Sequence, residues 1–404
     1  MRNKMELLSP AGNMERLRMS VAYGADAVYL AGQTYGMRAF SGNFSRDELR
    51  EARELTRKYG VTMHVTCNTM PRNNELSGLP EYLEFLQDLG ADALIIGDIG
   101  VLTLAKKHAP KVSIHISTQA SVTNYQAACA WHDLGADRVI LARELSLDEV
   151  AEIRAKTPST LEIEAFAHGA MCVSYSGRCV LSNYMTGRDA SRGACAQPCR
   201  YKYALMEEKR PGEFFPVEED ENGTYIFNSK DMCMIDHVKE LLEIGLNSLK
   251  IEGRAKSAYY AAIVTNAYRH AIDAAAADKL LDPVWRAELD KVSHRPYSEG
   301  FYYGHPEQYV GDSRYMRDWQ VSAIVTSCTP EGKALLSLRN KFARGEKLEL
   351  VGPGLRPISF TADDLADGNG LPLEEAKTPQ MPCRVTLPCQ APPLSLIRKE
   401  VAEK

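Results

Sequence analysis

The segment GADALIIGD (residues 90–98) decides the fold, because close copies of it recur along the chain. GADAVYLA (residues 24–31) and GADRVILAR (residues 135–143) repeat its Gly-Ala-Asp turn and its short apolar strand. Identical turns before successive strands are typical of a repeated β/α unit. The repeat therefore predicts parallel strands that are joined by helices.

Amphipathic segments separate these strands and carry the residues that usually begin and end helices. Ser45 and Ser146 are predicted N-caps, since a serine hydroxyl accepts a hydrogen bond from the first turn. Gly60, Gly90 and Gly135 are predicted to end helices, because glycine adopts the left-handed backbone that terminates a helix.

Nine segments are strand candidates, one more than a (β/α)8 barrel needs. They are ELLSPAG, ADAVYLAG, VTMHVTCNT, ADALIIGD, SIHISTQAS, ADRVILARE, LEIEAFAHG, TYIFNSKD and LNSLKIEG. One of the last two is therefore predicted to belong to an insertion. The loop after the first strand, SPAGN, lacks the G-x-G-x-x-G pattern of doubly wound dinucleotide-binding folds. The predicted class is α/β, a TIM-like (β/α)8 barrel over residues 1–305.

Two regions depart from the repeat. Residues 170–224 are rich in Gly, Ser, Arg and Cys, and they follow the seventh strand, so we predict a Cys-rich insertion over the barrel mouth. From about residue 310 the chain turns to short strands separated by turn residues: QVSAIVTSC, KALLSLRN, KLELVGPG and CRVTLPC. This pattern predicts a small C-terminal all-β barrel domain over residues 310–404.

The composition excludes several classes of protein. A net charge of −5 lacks the basic field that many nucleic-acid-binding proteins show, so we expect no DNA partner. No apolar run approaches the roughly 20 residues that cross a bilayer, and the segment MRNKMELLSPAG has no signal-peptide core. We therefore expect a cytoplasmic protein without a membrane partner.

Four of the ten cysteines are clustered: Cys172, Cys179, Cys195 and Cys199. Gly- and Ser-rich loops can bring four thiolates to one metal centre and supply N–H groups to the sulfur atoms. The spacing favours an iron–sulfur cluster over zinc, because structural zinc sites prefer C-x(2–4)-C pairs and only the second pair has that spacing. Zinc, or cysteines that are unliganded or disulfide-bonded, remain alternatives.

Polar residues end nearly every predicted strand, which is where a barrel carries its functional groups. A cap, a turn or a salt bridge explains any one of them, whereas the whole set indicates a polar site at the barrel mouth. Arginines near this mouth could bind an anion through paired contacts. The set comprises Ser9, Asn68, Asp98, Gln119, Arg143, Glu144, His168, Lys230, Asp231, Glu252 and Arg254, and the other arginines are Arg38 and Arg295.

His168 precedes Cys172 by four residues and could act as a base beside a nucleophilic thiolate. The pattern favours the alternative, a loop histidine that hydrogen-bonds near the metal site. The chain contains neither H-E-x-x-H nor G-x-S-x-G, so no common protease signature supports hydrolysis.

Long motifs throughout the chain resemble the U32 peptidase, or collagenase-like, family. These motifs are ELLSPAG, EAFAHGAMCVSYSGRC, RGACAQPCRYKY, NSKDM with LKIEGR, and HRPYSEGFYYG. The C-terminal segment SLRNKFARGEKLELVGPG resembles the small β-barrel of the family's tRNA-acting branch, which is similar to the second domain of translation elongation factors.

The resemblance implies an oxygen-independent hydroxylase with a [4Fe-4S] cluster on Cys172, Cys179, Cys195 and Cys199. The most similar branch implies 5-hydroxylation of the wobble uridine of tRNA, with prephenate as the source of the hydroxyl group. Other branches imply ribosomal RNA or ubiquinone synthesis instead. A U32 peptidase and a non-catalytic RNA-binding or partner subunit are the alternatives. Because some members of the family work as pairs, the resemblance also implies a second U32 family subunit as a possible partner.

The resemblance also gives roles to the polar residues that end the strands. Prephenate carries two carboxylates, which cationic side chains would clamp, and an acid–base group would move protons. We predict as catalytic residues His168, Glu252 and Arg254. We predict as substrate-binding residues Arg38, Asn68, Gln119, Lys250 and Arg295.

Overall fold

Eight parallel strands form a closed barrel in the computed structural model. The structure describes residues 5–37, 42–172, 174–175, 179–200, 204–205, 215–216, 228–306, 308–309 and 315–401. The barrel strands are β1 Glu6–Pro10, β2 Ala27–Leu30, β3 Thr62–Cys67, β4 Ala93–Ile96, β5 Ser113–Ile116, β6 Arg138–Ile140, β7 Glu162–Ala170 and β8 Ser248–Ile251. Strand β8 pairs in parallel with both β7 and β1, which closes the barrel and confirms the predicted fold class.

The surplus strand candidate is TYIFNSKD. Of this segment the structure describes residues 228–231, which contribute to two short strands, Asn228–Ser229 and Asp231–Cys233, and the second runs antiparallel to β7 without being one of the eight strands of the closed ring. LNSLKIEG supplies β8. The prediction that one of the two lies outside the barrel is therefore confirmed.

Ten α-helices are present in the described residues, and most of them follow a barrel strand. They are α1 Met14–Ala22, α2 Arg46–Tyr59, α3 Leu79–Leu89, α4 Ile99–His108, α5 Tyr125–Asp133, α6 Leu147–Lys156, α7 Leu181–Thr186, α8 Val238–Ile244, α9 Ala258–Ala276 and α10 Pro283–Asp290. None of them is both long and apolar enough to cross a bilayer.

The predicted helix ends are confirmed. Ser45 and Ser146 form capping boxes, in which each hydroxyl accepts a hydrogen bond from the backbone N–H three residues later. Gly60 and Gly90 end α2 and α3 with φ angles of 67° and 77°, a backbone region that favours glycine. These local signals explain why the repeat was readable from the sequence.

The C-terminal region is an antiparallel sheet, which confirms the all-β prediction. Its main strands are β9 Trp319–Cys328, β10 Lys333–Leu338, β11 Lys347–Gly352, β12 Leu355–Thr361, β13 Pro382–Thr386 and β14 Leu396–Glu400. They lie in the order β12-β11-β14-β9-β10-β13, and the short strand Ala366–Asp367 adds to β13. Leucine and valine side chains between them form an apolar core distinct from that of the barrel.

Shorter elements complete the chain. Two-residue strands pair as Ala204–Leu205 with Phe215–Pro216, Asn228–Ser229 with Gln308–Tyr309, and Phe342–Ala343 with Glu375–Ala376, while Tyr297–Ser298 pairs with Asp231–Cys233. Single 3-10 turns are Asn73–Glu75, Thr118–Ala120, Ala190–Arg192, Pro198–Arg200 and Ile235–His237.

Buried ion pairs hold the C-terminal sheet against the barrel. The guanidinium of Arg398, on β14, is fully buried and donates hydrogen bonds to Glu288 of α10 at 2.6 Å and Glu349 of β11 at 2.7 Å. Tyr23, on α1, donates a hydrogen bond to the carbonyl oxygen of Leu394 at 3.0 Å. A buried charge is tolerated only where its partners are in place, so these contacts fix one orientation of the sheet on the barrel.

Candidate active site

A cavity of about 1260 Å³, measured out to open solvent, lies at the carboxyl ends of the barrel strands. Its wall combines the ends of several strands with the predicted Cys-rich insertion. The structure brings together there five of the predicted site residues and all four clustered cysteines: Asn68, Gln119, Lys250, Glu252, Arg254, Cys172, Cys179, Cys195 and Cys199. Parallel strands present their carboxyl ends at one face, which is why residues so far apart in sequence meet here.

The four clustered cysteines differ from the remaining six, and only these four line the cavity. All ten are free thiols in the described residues. Burial raises the pKa of Cys67 to about 12 and the pKa values of Cys233 and Cys383 to about 11, so those three are protonated apolar thiols.

Hydrogen-bond donors already point at two of the clustered sulfur atoms. Arg143, at the end of β6, donates from its guanidinium to Cys172 Sγ at 3.5 Å. The backbone N–H of Gln197 donates to Cys195 Sγ at 3.3 Å. Donors of this kind stabilise thiolates that ligate a metal and tune an iron–sulfur cluster.

The chemistry of the four thiols fits an iron–sulfur cluster, although their sulfur atoms are not close enough together to ligate one metal ion. In the described residues no three His, Cys, Asp or Glu side chains converge closely enough to hold a metal ion. Four free thiols nevertheless face one cavity from Gly-rich loops, with N–H donors beside the sulfur atoms of Cys172 and Cys195. This is the ligand chemistry that iron–sulfur clusters require.

The insertion is attached to the barrel by the loop that follows β3. The backbone N–H of Met70 donates to the carbonyl oxygen of Ser191 at 3.2 Å. Two ion pairs flank this bond, one between Arg72 and Asp189 at 3.5 Å and one between Arg192 and Glu75. Because the attachment lies beside Asn68, it sets the distance between the cysteines and the polar wall of the cavity.

An amide wall forms the side of the cavity at the ends of β3 and β5. Asn68 accepts a hydrogen bond from the backbone of Met37 at 3.1 Å and donates to Gln119 Oε1 at 3.0 Å and to Ser117 Oγ at 3.3 Å. The buried hydroxyl of Thr66 lines the same wall and has no hydrogen-bond partner. Amides and hydroxyls in this arrangement can bind the hydrogen-bonding edge of a nucleobase.

A charged layer fills the barrel beneath the cavity. Lys250 lines the cavity floor and donates to the fully buried Glu164 at 3.0 Å, and Arg138 donates to the other carboxylate oxygen of Glu164 at 3.0 Å. Burial alone would raise the pKa of Glu164, but Lys250 and Arg138 hold it below its ordinary value. The ionised carboxylate therefore fixes the ammonium of Lys250 in the floor.

Two buried histidines lie in the same layer, and they should make the fold sensitive to acid. Burial is the main cause that lowers the pKa of His64 to about 4, and the neighbouring Arg138 and Lys250 also lower it. The folded state therefore favours the neutral ring. The stability that this pKa difference contributes is fully present above the unfolded pKa of about 6.5 and is lost as the pH falls towards 4. His115, edge-on to His64 at 4.8 Å between ring centroids, has its pKa lowered well below the ordinary value by burial.

We expect the titration of His64 to lower the free energy of unfolding by about 2 kcal/mol between pH 7 and pH 5. Chemical denaturation at both pH values measures it, with the His64→Leu variant as reference. The variant should lose about 2 kcal/mol less than the wild-type protein over this interval. Equal losses would mean that His64 does not titrate on unfolding.

The backbone beside Glu252 is held by a close approach to β7. A side chain at Gly169, whose φ is 111°, would overlap the carbonyl oxygen of Glu252. The N–H of Glu252 donates to the carbonyl oxygen of His168 at 2.8 Å, and the Tyr260 hydroxyl donates to the carbonyl oxygen of Glu252 at 3.0 Å. Glu252 is therefore presented to the cavity from a fixed backbone, and buried Arg254 follows it.

The structure does not bring His168 to the cavity. Its ring is buried among Tyr260, Tyr268 and Tyr297, with centroid distances of 5.4–5.9 Å, and its hydrogen-bond partner is Tyr268. Burial lowers the pKa of His168 well below its ordinary value, so the ring is neutral. The polar side chain at Cys172 is that of Arg143, and the Cys172–His168 pair considered from the sequence is not formed.

The reason lies in an irregularity of β7. The register against β8 advances from Phe166 to His168 between two consecutive residues of β8, which marks a β-bulge. A bulge changes which face a side chain points to, so Phe166 lines the cavity while His168 turns towards α9.

The predicted substrate-binding residue Arg295 also stands apart from the cavity. Arg295 is fully buried and pairs with Asp231 at 2.6 Å, so its charge is compensated inside the protein and not offered to a substrate. Arg38 lies outside the described residues. The site also contains Arg143, which the sequence placed among the strand-end polar residues without a specific role, and Thr66, which the sequence analysis did not select although it lies near the end of β3.

Comparison with known proteins agrees with this architecture. The family model for peptidase family U32 matches residues 12–312, and that for the peptidase family U32 C-terminal domain matches residues 317–398. The tRNA hydroxylation protein P1 of Bacillus subtilis (strain 168) is 38% identical over 403 residues, covering 98% of this chain and 95% of the relative.

Two further relatives come from Escherichia coli (strain K12). Its tRNA hydroxylation protein P is 38% identical over 412 residues, covering 91% of this chain and 90% of that protein. Its 23S rRNA 5-hydroxycytidine synthase is 36% identical over 272 residues, covering 67% of this chain and 40% of that protein. With both domains matched and the two tRNA hydroxylation proteins aligned over at least 90% of their length, the chain belongs to peptidase family U32.

Proposed function

We propose that this protein is an RNA hydroxylase that adds a hydroxyl group to carbon 5 of the wobble uridine of tRNA. The observation that carries the proposal is the single cavity in which four thiols, an amide wall and buried cations face one another. Relatives named as tRNA hydroxylation proteins, matched over at least 90% of their length, support it. We place the reaction in the cytosol, where thiols stay reduced.

In this proposal Cys172, Cys179, Cys195 and Cys199 hold a [4Fe-4S] cluster. When bound, the cluster would supply one-electron redox chemistry at the cavity wall. Arg143 and the N–H of Gln197 donate to the sulfur atoms of Cys172 and Cys195, which offsets part of the negative charge that four thiolates bring.

The cations of the cavity suit a co-substrate with two carboxylates, and we assign prephenate to them as the hydroxyl source. Lys250 lies in the floor, 4.5 Å from the Tyr29 ring centroid, and buried Arg254 lies in the wall. Both are fixed by their surroundings, so binding a carboxylate orders little additional structure. Glu252 is the carboxylate of the same wall and is our candidate for moving a proton.

The target base would leave its stack and enter the cavity, as enzymes that act on bases require. Asn68 and Gln119 would then bind its polar edge, and the rings of Tyr29 and Phe166 offer apolar faces beside it. The hydrogen bond between Asn68 and Gln119 Oε1 orients the two amides before the base arrives, so they act as one preorganised surface.

Gln119→Leu is expected to lower RNA hydroxylation by about 10- to 100-fold, because an unsatisfied polar edge costs ~1–3 kcal/mol. The variant should keep its iron content and thermal stability. Gln126→Leu, which replaces an exposed glutamine on α5, is the matched control and should behave as the wild-type protein.

The assay incubates anaerobically purified protein with tRNA and prephenate and measures hydroxylated nucleosides by mass spectrometry. Hydroxyuridine that appears with wild-type protein and falls in Gln119→Leu supports the proposal. If the protein hydroxylates ribosomal RNA and not tRNA, the proposed activity as an RNA hydroxylase stands, but the proposed substrate is wrong. Release of fluorescence from labelled gelatin, without any modified nucleoside, would favour the peptidase alternative.

A further inference from the structure

A second cavity, of about 1460 Å³ measured out to open solvent, lies where the barrel mouth meets the C-terminal sheet. We call it the junction groove. The barrel supplies one wall of it, and the chain that enters β9 supplies the other. Its polar and aromatic lining is Gln197, Glu252, Lys256, Ser257, Tyr259, Ser293, Tyr315, Arg317, Trp319, Gln320 and Asn340.

The junction groove adjoins the thiol-lined cavity. Ala170, Gln197, Glu252 and Tyr315 line both spaces, so the two lie next to each other, as binding sites for adjacent nucleotides would have to. Gln197 lies between two of the clustered cysteines and has a φ of 58°, a conformation that costs energy for a residue other than glycine. That strained backbone places its amide at the connection between the two spaces.

Aromatic rings of the groove are held in place by cations. The ammonium of Lys256 lies 3.7 Å from the ring centroid of Tyr315, and the ammonium of Lys291 lies 4.5 Å from that of Trp319. Both rings are only partly buried and so keep surface towards the groove. Rings held in this way can stack on a base with little loss of conformational entropy.

Charge and amides complete the fit to a nucleotide. The exposed side chain of Arg317 is bonded through Nε to Ser293 Oγ at 3.3 Å, which anchors the guanidinium on the rim of the groove. Guanidinium groups bind phosphate oxygens through paired hydrogen bonds. Gln320 and Asn340 add amides to the same wall as Trp319.

The two walls keep a fixed spacing. Trp319 lies on β9 beside β14, whose Arg398 forms buried bonds to Glu288 of the barrel and to Glu349. A groove with fixed walls selects ligands by shape, and its width does not adapt to an entering duplex. This favours an unpaired nucleotide, whose base can lie flat against a ring.

From these features we infer that the junction groove binds the single-stranded RNA nucleotide adjacent to the one that enters the barrel cavity. Its base stacks on the aromatic wall of Trp319 and Tyr315, and Arg317 binds its phosphate. The inference rests on the proposed function, since it assumes that RNA is the substrate, and it adds a second binding site to it.

The test measures RNA affinity by fluorescence anisotropy with a labelled tRNA transcript. Trp319→Leu and Arg317→Ala should each weaken binding about tenfold, in the range of losing one stacked base or one charged phosphate contact. Arg384→Ala replaces an exposed arginine on β13, away from the groove, and should change affinity less than about twofold. Because Arg317 is exposed, its variant remains informative even if Trp319→Leu folds poorly.

A double-mutant cycle identifies the base that stacks. Transcripts with an abasic nucleotide on either side of the target uridine are compared with the intact transcript. We expect wild-type protein to bind one of the abasic transcripts about tenfold more weakly than the intact transcript. The Trp319→Leu variant should bind that abasic transcript and the intact transcript equally well, because the stacking contact is already lost. Independent, additive losses would overturn the groove assignment.

The same experiment separates this inference from the proposed function. If wild-type protein binds and hydroxylates tRNA and every groove variant does so equally well, the groove inference is wrong and the proposed function stands. If wild-type protein neither binds nor hydroxylates any RNA, the proposed function fails and the groove inference fails with it.

Discussion

Cys195→Ser is expected to remove iron, acid-labile sulfide and RNA hydroxylation together. Serine keeps the shape of the side chain but offers no thiolate, and iron–sulfur clusters are held by thiolates. Wild-type protein purified without oxygen should contain about four iron and four sulfide per chain. The variant should contain less than one of each, measured by chemical iron and sulfide analysis with a visible spectrum.

Cys129→Ser is the matched control for this prediction. Cys129 lies on α5, where its thiol faces the carbonyl oxygen of Lys156 at 3.9 Å and does not line the cavity. Its variant should keep full iron, sulfide and activity. Full iron occupancy in Cys195→Ser would remove Cys195 from the ligand set, and stoichiometric zinc in the wild-type protein would replace the iron–sulfur proposal.

Glu164→Gln is expected to lower the free energy of unfolding by about 3–5 kcal/mol, the usual result of breaking a buried ion pair from one side. Glu164 is fully buried and accepts hydrogen bonds from both Arg138 and Lys250, so the amide would leave two buried cations undercompensated. Chemical denaturation at pH 7 measures the difference from the wild-type protein.

Glu162→Gln provides the comparison at a neighbouring position. Glu162 also pairs with Arg138, at 2.6 Å, but 45% of its side chain is exposed. Partly exposed pairs contribute little, so this variant should lose less than about 1 kcal/mol. If both substitutions lower the free energy of unfolding by the same small amount, the buried pair contributes no more than the exposed one. The carboxylates of Glu6 and Glu162 would then suffice to compensate Arg138, and Lys250 would need no ionised partner.

The barrel was predictable because its signals are local. Each Gly-Ala-Asp turn and each capping serine acts within a few residues, so the sequence alone located β2, β4 and β6 with their helices. The choice between TYIFNSKD and LNSLKIEG was not local, since β8 is defined by pairing with β1 and β7, more than 80 residues away in sequence. Both segments carry the same kind of apolar pattern, and no local signal separates them.

The candidate site was predictable where it depends only on where strands end. Asn68, Gln119, Lys250 and the clustered cysteines meet because parallel strands share one carboxyl face. His168 and Arg295 were misplaced for different reasons. A single-residue bulge turned His168 to the outer face of β7, and a partner 64 positions away, Asp231, neutralised Arg295. Neither a bulge nor a distant ion partner leaves a pattern in the local sequence.

The charged layer beneath the cavity has a consequence for the order of events in catalysis. Arg138 and Glu164 fill the barrel interior at the amino ends of the strands, so reactants reach the cavity from the mouth. A nucleotide that occupies the mouth would then block the passage of a smaller molecule behind it. Under the proposed function, the dicarboxylate would therefore bind before the RNA, and the product formed from it would leave after the RNA. In such a compulsory-order scheme, excess RNA traps enzyme that has not yet bound its co-substrate.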